Sequence, residues 1–373
     1  MHLPAVFIGN EIYRQSSLGG RHPLSIPRVS TVMDMVQALG WLDPGQYRES
    51  RPATQEQLAR FHREDYIAAV QAAERTLAVS PDESERYNLG RGGNPVYATM
   101  FRRPATGVGG SLIAAQHLLQ HGGGIVYSPG GGTHHGRPAQ ASGFCYFNDP
   151  VLAILAMLDA GLSRVAYVDL DVHHGDGVAD AFATDPRVLV VSVHEAGRWP
   201  HTGQLDEEGA GNLFNLPVTP GMVDDEMKAL MEEAIGPLVE GFRPDALVIQ
   251  CGADALADDP LGKQTLSNGA LWHAVATLKP LARRLLVLGG GGYNPWSVAR
   301  CWTGIWAELN GLEKPDRLPP AAEGLLRNLS WNRSAGRQPP GHWFVTLADV
   351  PRHGPVRDEV RGLVRRVKER MRA

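Results

Sequence analysis

The 373-residue sequence has few cysteines, no long apolar run and no large excess of either charge. Its three cysteines, Cys145, Cys251 and Cys301, show no CxxC spacing and cannot form a disulfide framework, so we expect a cytoplasmic protein. No apolar stretch approaches the ~20 residues that cross a bilayer, and the N-terminus does not resemble a signal peptide. These absences argue against a membrane protein and against a secreted one.

The charge and composition narrow the class further. With 36 Lys+Arg against 40 Asp+Glu the net charge is −4, which provides no field for binding nucleic acid directly. With 43% hydrophobic and 20% charged residues the chain can bury a core, which excludes global disorder. We find no repeat or linker and predict a single domain over residues 1–373, long enough for a catalytic domain.

Strand and helix patterns alternate along the chain. Short β-branched runs predict strands at 5–8, 124–127, 164–169, 187–194, 246–250 and 285–288. Helical periodicity falls at 29–39, 107–121, 150–160, 223–240, 268–282, 297–309 and, as a basic C-terminal helix, 356–372. This alternation predicts an α/β fold with a mostly parallel sheet flanked by helices, and ligands at the C-terminal strand ends.

Histidine is concentrated in one stretch. Six of the 14 histidines lie between residues 134 and 201, where a uniform spread would place about 2.6. Within it, the string YVDLDVHHGDG at 167–177 ends a buried strand and sends Asp169, Asp171 and His173 to one side. A divalent metal held by Asp171 and His173 accounts for two carboxylates and an imidazole there; the alternative is a salt-bridged strand end.

Other polar groups follow neighbouring predicted strands. Asp254 follows the strand at 246–250 and is either a helix N-cap or a third metal ligand beside Asp171 and His173. His134 and His135 follow glycines and either cap a loop, bind metal or transfer protons. Tyr293 ends four glycines and either packs locally or donates to a developing oxyanion.

Five motifs together resemble one family, the histone deacetylases with their bacterial acetoin-utilization and acetylpolyamine amidohydrolase relatives. The motifs are GGTHH at 131–135, ASGFCYFND at 141–149, DLDVHHGDG at 169–177, QCGAD at 250–254 and GGGGY at 289–293. They occur in family order, and the resemblance covers about residues 20–310. It implies an arginase/deacetylase-like fold and a zinc-dependent amidohydrolase that releases a carboxylate and a free amine.

The resemblance also implies roles for individual residues. Asp171, His173 and Asp254 would hold one Zn²⁺, with Fe²⁺ as the alternative ion. His135 would transfer protons with support from His134, while Tyr293 would bind the oxyanion. Asp169 and Asp176 would orient the two imidazoles. Substrate contacts would come from Gly143, Phe144, Trp199, Leu261 and Arg28. A structural K⁺ would be held through Asp169, Asp171 and Ser192.

Three departures qualify this picture. Gly175 and Leu256 stand where the related arginases need ligands for a second metal, so one metal per chain is expected. The rim stretch at 91–95, RGGNP, lacks the carboxylate with which many relatives bind the substrate backbone, and His201 stands where glycine is common. The resemblance with these departures implies as substrate either an acylated lysine in protein or a small acylated amine.

Two alternatives to a lysine deacylase stay open. One is an acetylpolyamine amidohydrolase, which would be expected to form a homo-oligomer and to prefer a small acylated amine. The other, of a different class, is a non-catalytic module that binds acylated amines without turnover.

Overall fold

The computed structural model describes residues 4–15, 18 and 22–372, and its strands form one fully parallel sheet. The strands are β1 (Val6–Gly9), β2 (Tyr47–Glu49), β3 (Gly124–Ser128), β4 (Val165–Asp169), β5 (Val188–Glu195), β6 (Leu213–Val218), β7 (Ala246–Gln250) and β8 (Arg284–Leu288). Their spatial order is β2–β1–β3–β8–β7–β4–β5–β6, and every neighbouring pair is parallel. The predicted α/β class and parallel sheet are confirmed.

Helices cover both faces of the sheet. They are α1 (Val29–Ala38), α2 (Gln55–Leu58), α3 (Glu64–Thr76), α4 (Pro81–Tyr87), α5 (Arg102–Gln120), α6 (Asp149–Asp159), α7 (Asp176–Phe182), α8 (Asp224–Leu230), α9 (Gly236–Phe242), α10 (Asn268–Leu278), α11 (Pro295–Asn310), α12 (Pro320–Arg327), α13 (His342–Val345) and α14 (Asp358–Arg370). Side chains alternate along β4: Val168 packs in a core with α1, α10, α11 and α14, whereas Tyr167 packs in a second core with α5, α6 and α7. Both faces of the sheet are thereby buried.

The six predicted strands are present, each with both ends within one residue of its predicted position, but β2 and β6 were missed. β2 has three polar, partly exposed residues, and β6 contains Pro217; neither carries an alternating apolar pattern. Both lie at the edges of the sheet, where a proline or a short polar strand is tolerated.

One predicted helix is interrupted. The region 223–240 forms α8 and α9, separated by a π-helical turn at Met231–Ile235. Pro237 explains the interruption, because it has no N–H for residue 233 and its ring clashes with that carbonyl in a regular α-helix. α5 begins five residues earlier than predicted, since Pro104 lies in its first turn, where no intrahelical N–H bond is required. Six helices were not predicted: α2, α3, α4, α7, α12 and α13.

The parallel topology brings the carboxyl ends of four adjacent strands together. β3, β8, β7 and β4 are consecutive in the sheet, and the loops that follow them carry His134 and His135, Tyr293, Asp254, and Asp171. Because these loops share one edge, polar groups up to 159 residues apart in sequence, His134 and Tyr293, can form one site. Within the described ranges, no helix is long and apolar enough to cross a membrane.

Candidate metal centre and active site

Asp171, His173 and Asp254 form a buried cluster at the ends of β4 and β7. Their ligand atoms lie within 4.8 Å of one another. His173 Nδ1 is 3.1 Å from Asp171 Oδ1 and 3.1 Å from Asp254 Oδ2. In the described part of the chain, neither carboxylate has a lysine or arginine ion-pair partner. Burial and the charge of Asp171 raise the pKa of Asp254 to about 6, so the pair favours an added cation. The donor set fits one divalent metal.

Backbone amides hold these carboxylates in place. Gly291 N donates to Asp171 Oδ2 at 2.6 Å, and Val172 N donates to Asp254 Oδ1 at 3.1 Å. Only glycine allows the backbone to come this close to the carboxylates. A Cβ on Gly291 would lie 1.9 Å from Asp254 Oδ2, and one on Gly252 would lie 2.2 Å from Asp171 Oδ2. The glycine-rich loop after β8 therefore places its backbone directly against the cluster.

Two histidine–aspartate pairs lie beside the cluster. His134 Nδ1 is 2.7 Å from Asp169 Oδ2, and His135 Nδ1 is 2.7 Å from Asp176 Oδ1. Burial lowers the pKa of His134, but the charges of Asp169 and Asp171 outweigh it and raise that pKa to about 9. Burial and the neighbouring His134 lower the pKa of His135 to about 3, against the opposing effect of Asp176. Of the two adjacent histidines, His135 is therefore the neutral one.

Sequence reasoning missed Arg137, which shares the Asp176 carboxylate with His135. Arg137 Nη2 lies 2.5 Å from Asp176 Oδ2, and Nη1 pairs with the exposed Asp180 on α7. Asp176 is mostly buried, and although burial opposes it, the contacts with His135 and Arg137 lower its pKa. Only Gly136 separates Arg137 from His135, but no charge pattern in the sequence links Arg137 to Asp176.

The loop that carries His134 and His135 is held by the start of α6 and by another buried histidine, His62. Asn148 Nδ2 donates to the carbonyls of His134 at 3.1 Å and Gly136 at 3.0 Å. The Asp149 carboxylate accepts from the backbone N–H of Thr133 at 2.8 Å. His62 Nε2 accepts from Asn148 N at 2.9 Å, and its Nδ1 lies 3.0 Å from a carbonyl oxygen. His62, which lies outside the motifs, was missed.

We expect His62 to make stability fall at acid pH. Burial lowers its pKa to about 4. Between pH ~6.5 and ~4 the unfolded chain binds a proton that the folded chain does not. The free energy of unfolding therefore decreases as the pH is lowered through this range, by up to about 1.4 kcal/mol per pH unit. Urea unfolding from pH 7.5 to 4.5 should give a shallower pH slope for His62→Gln than for wild type. The exposed His353→Gln is the control, and parallel curves for wild type and His62→Gln would contradict the expectation.

Aromatic side chains line the approach to the cluster. The Trp199 ring, 42% exposed, lies 4.7 Å from the His135 ring and 6.1 Å from the His173 ring. The Phe144 ring lies 5.9 Å from the Tyr293 ring. Gly143 has φ +52, and a Cβ there would lie 2.5 Å from both the Trp199 and His135 rings. The structure thus places the Trp199 ring beside His135 and His173 and the Phe144 ring beside Tyr293; we call the space between these two groups of rings the opening.

The rim has its own constraints. Asn94 Oδ1 accepts from Phe144 N at 2.9 Å, so this buried side chain fixes the aromatic wall. Gly93 is also required, because a Cβ there would lie 2.6 Å from the Phe144 ring. His201, which stands where glycine is common, adopts φ +65, a conformation that glycine favours.

The remaining predicted residues lie around this centre. Arg28 Nη1 donates to the Gly290 carbonyl at 2.6 Å, and its guanidinium lies 5.4 Å from the Trp302 ring centroid. Leu261 is half-buried, and its N–H donates to Asp259 Oδ1 at 2.9 Å. Ser192 pairs in register with Asp169 across β4 and β5, and its Oγ lies 3.0 Å from His194 Nδ1.

Fold and site together define a class: an α/β protein with a buried Asp–His–Asp cluster that could hold a metal and paired histidines at the carboxyl edge of a parallel sheet. The family model "Histone deacetylase domain" matches residues 22–309. The chain belongs to the histone deacetylase family, as its motifs predicted.

Comparisons with individual proteins support the same family membership. Histone deacetylase 1 of Oryza sativa subsp. japonica is 38% identical over 321 residues, covering 84% of this chain and 60% of that protein. Acetoin utilization protein AcuC of Bacillus subtilis (strain 168) is 33% identical over 351 residues, covering 91% and 89%. The crystal structure of an HDAC homolog from Aquifex aeolicus matches with a TM-score of 0.93 at 35% identity, covering 98% and 100%. The chain thus spans most of AcuC but under two thirds of the rice relative.

Proposed function

We propose that this protein is a metal-dependent deacylase that hydrolyses the amide of an N-acyl lysine or related acylated amine. The observation that carries the proposal is the juxtaposition of two histidine–aspartate pairs with the Asp171–His173–Asp254 cluster beneath an aromatic opening. The names of the relatives, histone deacetylases and an acetoin utilization protein, support it.

Asp171, His173 and Asp254 are the residues that would hold the metal, with Zn²⁺ proposed and Fe²⁺ as the alternative. A divalent ion there would polarise the acyl carbonyl and make the attacking water more acidic. One ion per chain is proposed, because Gly175 and Leu256 offer no further ligand. A structural K⁺ is proposed at Asp169, Asp171 and Ser192, supported by the register that pairs Asp169 with Ser192.

The chain's own residues would move the protons. His135, neutral and oriented through Nδ1 by Asp176, would accept the water's proton at Nε2 and later deliver it to the leaving amine. His134, paired with Asp169, would remain cationic and stabilise negative charge nearby. Burial and the carboxylates Asp254 and Asp171 raise the pKa of Tyr293 well above 10, so its hydroxyl would stay protonated and donate to the oxyanion.

The aromatic side chains at the opening favour a substrate with an aliphatic, uncharged stem. Phe144 and Trp199 present apolar faces, and acylation removes the charge that would oppose entry of an amine between them. We further propose that the Gly143 carbonyl contacts the substrate amide, that Leu261 lines the opening, and that Arg28 contacts the departing carboxylate from below.

A small acylated amine is the second candidate substrate. The rim at 91–95 offers no carboxylate, and Asn94 is already bonded to Phe144 N. Peptide-backbone recognition by this stretch is therefore limited, which favours substrates recognised mainly by their acyl-amine stem. An acetylpolyamine amidohydrolase would then be a homo-oligomer that prefers acetylspermidine. The three cysteines are free and buried, which agrees with the proposed cytoplasmic location.

We expect hydrolysis of an acetyl-lysine peptide to be lost on chelation and restored by stoichiometric Zn²⁺ or Fe²⁺, because the buried carboxylates need a cation to form the centre. The assay compares metal-defined protein on acetyl-lysine peptide, longer acyl peptides and N-acetylspermidine, with light scattering for oligomeric state. Activity that survives complete metal removal would contradict the proposal. Tight hydroxamate binding without turnover on any substrate would favour the non-catalytic module.

A further inference from the structure

A buried carboxyl group outside every motif, that of Asp259, lies on the loop that carries Asp254 and contacts the loop that carries Tyr293. Asp259 is 6% exposed, and both of its oxygens accept backbone hydrogen bonds. Asp259 Oδ2 accepts from Tyr293 N at 2.6 Å, and Oδ1 accepts from Leu261 N at 2.9 Å. In the described ranges Asp259 has no arginine or lysine ion-pair partner. The two backbone N–H groups therefore offset the free-energy cost of burying its carboxyl group.

A second contact fixes the residue that follows Tyr293 to the same segment. Asn294 Nδ2 donates to the Asp258 carbonyl at 3.1 Å, while its Oδ1 accepts from Trp296 N at 3.1 Å and caps α11. The Tyr293 backbone is therefore held on one side by the 258–259 turn and on the other by the helix start. Its φ and ψ, and hence the direction of its phenol, depend on both.

The hydrogen-bond pattern requires a carboxylate. Each Asp259 oxygen faces an N–H donor, so an asparagine would turn its NH₂ group toward one of them and lose that bond. The lost bond would release the Tyr293 amide or the Leu261 amide. A displacement of about 1 Å at a reacting group is enough to lower a rate by up to ~100-fold.

We propose that Asp259 is a positioning residue that fixes the Tyr293 hydroxyl over the proposed metal site. Through its other oxygen the same carboxyl group also holds Leu261 beside the opening. This inference rests on the proposed role of Tyr293 as oxyanion donor. Asp259 itself touches no reacting atom; it acts through the backbone of Tyr293.

A double-mutant cycle tests the inference on metal-loaded full-length protein with an acetyl-lysine peptide. Tyr293→Phe should lower kcat by about 100-fold, and Asp259→Asn by about 10- to 100-fold with KM changed less than ~3-fold. In the Tyr293→Phe background, Asp259→Asn should cost less than ~3-fold, because the hydroxyl it positions is gone. Asp316→Asn makes the same chemical change at an exposed side chain between α11 and α12, outside this turn, and should leave kcat within ~2-fold.

Metal content and thermal unfolding of each variant separate positioning from damage to the centre. If Asp259→Asn does not fold, Asp259→Glu keeps the carboxyl group and should show a smaller kcat loss that again vanishes in the Tyr293→Phe background. Equal losses in both backgrounds, or loss of metal from either Asp259 variant, would overturn the inference. A fully active Tyr293→Phe, or an inactive wild type, would instead overturn the proposed function.

Discussion

Replacing His135 by alanine is expected to lower kcat by about 1,000-fold, whereas His134→Ala should cost only about 10- to 100-fold. The difference follows from the two carboxylate pairs. Asp169 and Asp171 favour the cationic form of His134, but His135 is neutral and can accept the proton of the attacking water. A steady-state assay with metal-loaded variants measures both values.

Binding measurements keep this comparison interpretable. Neither imidazole belongs to the Asp171–His173–Asp254 ligand set, so both variants should retain stoichiometric metal and bind a hydroxamate within ~10-fold of wild type. Asp176→Asn should resemble a milder His135→Ala, since an asparagine would turn its NH₂ group toward either the His135 ring or the Arg137 guanidinium. If His134→Ala were the more damaging variant, the assigned roles of the two histidines would be exchanged.

Strand positions were predictable because a buried parallel strand is a nearly continuous apolar run. β4, β7 and β8 carry such runs, and each is followed by a conspicuous polar or glycine-rich string. The strands' order in the sheet was not predictable from periodicity. It depends on pairing between β7 and β4, which are about 80 residues apart in the chain.

The supporting residues were harder to predict than the site itself. His62, Arg137 and Asp259 act on the site only after folding brings distant backbone groups to them. Asp259 reads in sequence as one of two turn aspartates, and nothing distinguishes it from the exposed Asp258. His62 lies in a polar segment 72 residues before His134. A pattern confined to neighbours along the chain cannot reveal such partners.

Substituting Gly291 by alanine is expected to lower metal affinity by at least about 100-fold and to abolish most of the activity. An added Cβ would lie 1.9 Å from Asp254 Oδ2 and 2.9 Å from Asp171 Oδ2, so both carboxylates would have to move. Displaced ligands weaken a metal site more than the ~10- to 100-fold that loss of an outer hydrogen bond costs. The cause is steric, since among these glycines only Gly290 and Gly292 have the positive φ that disfavours alanine.

Metal affinity is measured by competition with a chromophoric chelator, which does not depend on turnover. Gly324→Ala is the matched control, because α12 leaves open space around that position and alanine there should stabilise the fold by about 0.5–1 kcal/mol. The overpacking at Gly291 should also cost about 1–3 kcal/mol of unfolding free energy. If Gly291→Ala bound metal as tightly as Gly324→Ala, the loop after β8 would not be what fixes the two carboxylates. The four-glycine string would then have to be explained by backbone conformation at Gly290 and Gly292 alone.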